Sequence, residues 1–106
     1  MNDMNNSQPF FKFIRQLREE NGLPLRKVAA ELDLDPSTLS KIERGERTAN
    51  LKVVDQLSHV FGIDQNRMRL IFLSDKIAHE LWSEQNSNEI LHVVEQKITY
   101  LRGQKK

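Results

Sequence analysis

Apolar residues along this chain recur at spacings of three and four, not two, which is the period of an amphipathic α-helix. Phe10, Phe13, Ile14 and Leu17 form the first stripe. Ser7 is placed to cap it, Pro9 to lead the chain in and Asn21-Gly22 to stop it. Pro24 pre-sets the next start, with Val28, Ala29 and Leu32 on one face of a short helix that ends near Asp33. Asp35-Pro36 then pairs a capping residue with a proline at the first helical position, Leu39 and Ile42 supply the buried stripe, and Gly45 ends the element. Asn50 caps a fourth helix carrying Leu51, Val54, Leu57 and Phe61, with Gly62 as its stop, and Asp64 caps a fifth through Met68, Ile71 and Phe72. The pattern predicts an all-α fold with a compact five-helix unit over residues 1–73.

Beyond Leu73 the periodicity continues through Ile77 and Leu81, breaks at Asn86-Ser87-Asn88 and restarts as Leu91, Val94, Ile98 and Leu101. That last run steps by three, four and three, a seam suited to one helix lying along another. Residues 74–106 are therefore expected to form a C-terminal helical extension. Its seam either folds back on the chain's own core or meets a second subunit or partner protein through Leu91, Val94, Ile98 and Leu101. Trp82, the only tryptophan, either fills the core of these helices or anchors the same interface.

At 106 residues the chain has room for one core and an appendage. Its 38% hydrophobic content, against 29% charged, is enough to fold and too balanced for disorder. The absence of cysteine excludes disulfides, thiolate zinc sites, iron–sulfur clusters and cysteine nucleophiles. No apolar run reaches the ~20 residues of a membrane span, and the opening MNDMNNSQP lacks a signal-peptide pattern, so a soluble, cytoplasmic protein is expected. Sixteen Lys and Arg against fifteen Asp and Glu leave a net charge of only +1. A polyanion partner must therefore be argued from where the cations sit.

They sit in LRKVAAELDLDPSTLSKIERG, residues 25–45, where two short helices are joined by a turn with one apolar plug, Leu34. That is the layout of a helix-turn-helix. Val28, Ala29, Leu39 and Ile42 are small or apolar because they form the contact between the two helices, and Ala29 permits a close crossing. With Leu39 and Ile42 inward, Ser37, Ser40, Lys41 and Arg44 point away, and Ser37, Lys41 and Arg44 share a stripe at i, i+4 and i+7. Short polar groups followed by cations suit the major groove, where base edges offer acceptors and phosphates flank them. Lys41 can reach guanine O6 or N7, Ser37, Thr38 and Ser40 are short enough to meet bases or phosphates, and Pro36 and the Thr38 methyl are suited to a thymine methyl.

On Gly22-Leu23, Val28-Ala29, Leu32, Ser37-Thr38-Leu39-Ser40, Ile42-Glu43-Arg44-Gly45 and Gly62-Ile63, residues 10–72 resemble the Cro and repressor-type (XRE) helix-turn-helix regulators of bacteria and phages. The resemblance implies a five-helix repressor-like domain that binds double-stranded DNA as a homodimer on a two-fold symmetric operator. Carried over residue by residue, it makes Ser37 and Lys41 base readers with Pro36 and Ser40 beside them, Arg44 a phosphate contact, and Arg18 with Glu43 an internal ion pair. Two departures stand out: Leu25 replaces a phosphate-binding Gln at the start of the second helix, and Pro36 replaces a long amide reader. Arg26 and Lys27, in the first turn of the second helix, compensate, with Arg47 and Lys52 flanking the same surface. Asp33, Asp35 and Glu46 interrupt the cluster. The implied outcome is transcription regulation, with repression as the default. The alternative is an antitoxin-like module whose C-terminal helices hold a partner protein while DNA binding is autoregulatory.

No catalytic, metal or cofactor site is expected. His79-Glu80 begins like a zinc-protease motif, but Ser83 stands where the second histidine belongs. His59, four residues after Asp55, reads as its surface hydrogen-bond partner, and His92 lies beside the C-terminal seam.

Overall fold

The computed structural model describes residues 8–104, and every element in them is an α-helix: α1 (Phe10–Glu20), α2 (Leu25–Glu31), α3 (Pro36–Glu43), α4 (Leu51–Phe61), α5 (Gln65–Leu81) and α6 (Ser87–Gln104). The expected cap Ser7 lies outside the described residues. The chain divides into two compact units, one ending at Lys76 and one beginning at Ile77. The boundary falls inside α5, which runs on through Ile77 as one helix.

In the first unit the predicted stripes form a single core, except that Leu51, at the first turn of α4, is 38% exposed and stands outside it. Ile14 of α1, Ala29 of α2, Leu39 of α3 and Leu57 of α4 are essentially sealed from solvent. Full burial of a side chain such as Leu39 is worth about 1.5–3 kcal/mol, which is what turns these short helices into stable elements. Phe72 of α5 meets Phe10 of α1 edge to face, with ring centroids 5.0 Å apart. One turn later on α5, Asp75 accepts a long, 3.4 Å hydrogen bond from the Phe10 N–H, capping α1 from a distant part of the chain.

The local start signals are met unevenly. Asn50 Oδ1 accepts the Val53 N–H at 2.9 Å and Asp64 Oδ2 the Arg67 N–H at 3.0 Å, as their sequence positions predict. Asp35 occupies the N-cap position of α3 but its side chain makes no capping bond. The Pro36 ring leaves α3 with fewer N–H donors to satisfy, and the Asp35 carbonyl takes the Thr38 and Leu39 amides.

The helix ends follow one rule. After α1, α2, α3 and α4 a residue with positive φ turns the chain: Gly22, Asp33, Gly45 and Gly62. The next residue returns its amide to a carbonyl in the last helical turn, as in Leu23 to Arg18, Leu34 to Ala29, Glu46 to Lys41 and Ile63 to Ser58. Leu23, Leu34 and Ile63 then fold onto the core. Glu46 does not.

The second unit is built from the end of α5 and from α6. Trp82 is 80% exposed, which overturns its expected role as core filler. No residue of α6 is buried: Leu91, Ile98 and Leu101 are exposed and Val94 is half-buried.

Candidate nucleic-acid interface

The crossing of α2 and α3 determines which side chains of α3 face outward. Leu39 and Ile42 are held inward against Val28 and Ala29, all at 3% exposure or less, leaving Ser37, Lys41 and Arg44 exposed on the opposite stripe. Pro36 is exposed as well, and Thr38 and Ser40 are half-buried at its edges. Of the positions predicted outward from the helical wheel, Ser37, Lys41 and Arg44 are exposed and Ser40 is half-buried.

The orientation of α3 is fixed at its C-terminal end by Arg18 and Glu43. Arg18 Nε and Nη2 donate to the two Glu43 oxygens at 2.8 and 3.0 Å, while Nη1 donates to the Leu23 carbonyl at 2.9 Å. The two side chains are only 15% and 6% exposed. This pair holds three elements together: α1, the α1–α2 turn and the last residue of α3. The bond to Glu43 raises Arg18 above its ordinary pKa against the opposing pull of burial.

Around the exposed stripe the cations differ in how free they are. Among the described residues no ion pair engages Arg26, Lys27, Lys41, Arg47 or Lys52, and all five are exposed. The Lys27 amide is not available to a ligand, because it donates to the Pro24 carbonyl. Arg47 lines an open groove with Ala30, Leu34 and Thr38, into which Asp33 and Asp35 also face. An expected phosphate contact and an expected base reader therefore share one surface with two carboxylates.

Arg44 is the exception. Its Nε and Nη2 donate to both Glu46 oxygens at 2.9 and 3.1 Å, and its Nη1 donates to the Ser40 hydroxyl. The hydrogen bond from Arg44 is the main reason the Glu46 carboxyl stays below its ordinary range. Slight desolvation opposes it, and the charges of Arg44 and Lys41 reinforce it. Sequence reading placed Glu46 among the interrupting acids but missed this pairing. The available signal was the placement of Arg44 and Glu46 on either side of Gly45.

One further sequence reading changes. Asp55 is not held by His59: Arg69 of α5 grips both of its oxygens at 2.9 and 2.7 Å, joining α4 to α5. A partner fourteen residues away on another helix leaves no periodic signal. His92 Nδ1 lies 3.9 Å from Glu95, an exposed contact along α6. Among the described residues no group of three or more His, Asp or Glu is placed to hold a metal ion, and no helix is long and apolar enough to cross a membrane.

Comparison with known proteins converges on the same segment. Residues 14–64 match the profile of a helix-turn-helix family. A relative described as the HTH-type transcriptional regulator RamB, found in two strains of Mycobacterium tuberculosis, is 37% identical over 51 residues, 48% of this chain. The matched stretch is 11% of the length of that relative. The family match runs from the core residue Ile14 to the cap of α5 at Asp64, and so contains Arg18, Glu43 and the outward stripe of α3. In sequence, residues 14–64 match a helix-turn-helix family of the repressor-like (XRE) type, and the helix order and the crossing of α2 and α3 agree with that match.

Proposed function

We propose that the chain is a DNA-binding transcription regulator that inserts α3 into the major groove. The observation that carries this reading is the exposure of Ser37, Lys41 and Arg44 on one stripe of a helix whose opposite stripe, Leu39 and Ile42, is locked into the core. Lys41, with Pro36, Ser37, Thr38 and Ser40, reads bases, while Arg26, Lys27, Arg44, Arg47 and Lys52 engage phosphates. A handful of clustered cations suffices, since released counterions supply much of the affinity even when net charge is near zero.

The active species is a cytoplasmic homodimer on a two-fold symmetric operator, and its default action is repression by promoter occlusion. Residues 1–73 dock on DNA and residues 74–106 assemble the dimer. The exposed apolar residues Trp82, Leu91, Ile98 and Leu101 of the second unit, with half-buried Val94, favour a protein partner for that unit. Selection of bound duplexes from a random pool at low salt tests the whole reading. The expected product has two half-sites related by a two-fold axis. A single asymmetric site would remove the dimer, and no enrichment would remove DNA binding.

A further inference from the structure

At the end of α3 the turn is built as at the other helix ends, but its last position carries a different side chain. Glu46 returns its amide to the Lys41 carbonyl at 2.9 Å, the same bond that seats Leu23, Leu34 and Ile63 on the core. The preceding Gly45 has φ of 75° and lies under the Phe11 ring, where an added Cβ would come within 2.8 Å of Cε2. The backbone of residues 44–46 is therefore held from both sides, and the side chain it delivers is a carboxylate. That carboxylate takes two donors of Arg44, and a third Arg44 donor goes to Ser40.

Resting on the DNA-binding reading, we infer that Glu46 is a built-in competitor for the DNA backbone. In the free protein it occupies the Arg44 fork, and through Arg44 the Ser40 hydroxyl, so a phosphate gains Arg44 only by displacing Glu46. A carboxylate and a phosphate present the same paired oxygens to a guanidinium, which makes one a direct substitute for the other. The side chains are 48% and 55% exposed, so the latch is weak enough to open on contact with a duplex. Its effect is to lower affinity for every sequence by the same factor and leave base preference to Ser37 and Lys41.

The test is a double-mutant cycle with Glu46→Gln, Arg44→Gln and the double variant in the full chain. Binding is measured to a selected duplex and to an unrelated duplex across a salt series. Glu46→Gln is expected to tighten both complexes roughly three- to fivefold and to steepen the dependence of log K on log salt by up to about 0.9. In the Arg44→Gln background the same change is expected to have almost no effect. Equal tightening with and without Arg44 would overturn the inference, because Glu46 would then act only as a free negative charge. Duplex binding by the wild type with no gain in Glu46→Gln overturns it too, leaving the DNA-binding reading intact. Failure of every variant to bind any duplex at low salt overturns both.

Discussion

Arg18 Nε lies 2.8 Å from Glu43 Oε2, across 25 positions of sequence, and this contact holds the last residue of α3 to the last turn of α1. Because Glu43 is 6% exposed, its charge depends on Arg18 for compensation. Removing one partner strands the other.

Arg18→Met is therefore expected to cost about 3–5 kcal/mol of stability, whereas Arg18→Met combined with Glu43→Leu recovers most of the loss. Urea midpoints of the two variants check this. Equal destabilisation in both would mean that the pair's hydrogen bond to Leu23 and its packing, not the stranded charge, carry the cost.

Gly22 and Gly45 both have positive φ, at 64° and 75°, yet only Gly45 would direct a new methyl group into another side chain, Phe11. Gly22→Ala is expected to lose about 1–2 kcal/mol from backbone strain alone, and Gly45→Ala about 1–3 kcal/mol more. Thermal melts of the two variants separate the terms. Matching losses would show that Phe11 yields freely.

Lys41 and Arg44 share the outward stripe of α3 but are assigned different work. Lys41→Ala is expected to cost about 1–3 kcal/mol at the preferred duplex and to relax base choice at one position. Arg44→Ala is expected to weaken all duplexes alike and flatten the salt dependence. Competition binding with single-base variants checks both, and a uniform loss from Lys41→Ala would remove its role as a reader.

The Asp55 carboxyl is held below its ordinary value of 3.8, first by its hydrogen bond from Arg69 and then, after a small opposing desolvation, by the Arg69 charge. The folded pKa is thus lower than the unfolded one. The pair's contribution is complete above the unfolded value and is lost as pH falls through the folded value. The stability gap between wild type and Asp55→Asn is expected to close as pH is lowered from about 5 to about 2, as followed by denaturant titration. A gap constant with pH would mean that the bond survives protonation.

Ile98 of α6 is 41% exposed, so a charge there leaves the folded first unit undisturbed. Under the proposed assembly, Ile98→Asp is expected to halve the sedimentation mass and to weaken operator binding, with the melting of the first unit unchanged. The same mass in wild type and variant would place the subunit contact elsewhere.

Most of the fold was legible because its determinants are local. Asn50 and Asp64 cap helices whose amides lie three residues away, Gly22, Gly45 and Gly62 supply positive φ, and the three-and-four spacing marks Phe10, Ile14, Leu39, Leu57 and Met68 as core. The outward stripe of α3 followed from the same periodicity, since fixing Leu39 inward fixes Lys41 outward. Asp33 shows the edge of that legibility. It performs at the end of α2 the positive-φ turn given elsewhere to glycine, and its residue type only weakly announces it.

What the tertiary structure decided are pairings whose partners are brought together by the packing of separate helices or by a turn. Asp75 caps α1 from α5, Arg69 takes Asp55 from the residue expected to hold it, and Glu46 occupies Arg44. Periodicity determines which face of a helix turns inward, because burying apolar area is non-directional and sums along a stripe. It does not determine which of several charges closes on which, because a hydrogen bond of about 3 Å depends on where the backbones come to rest.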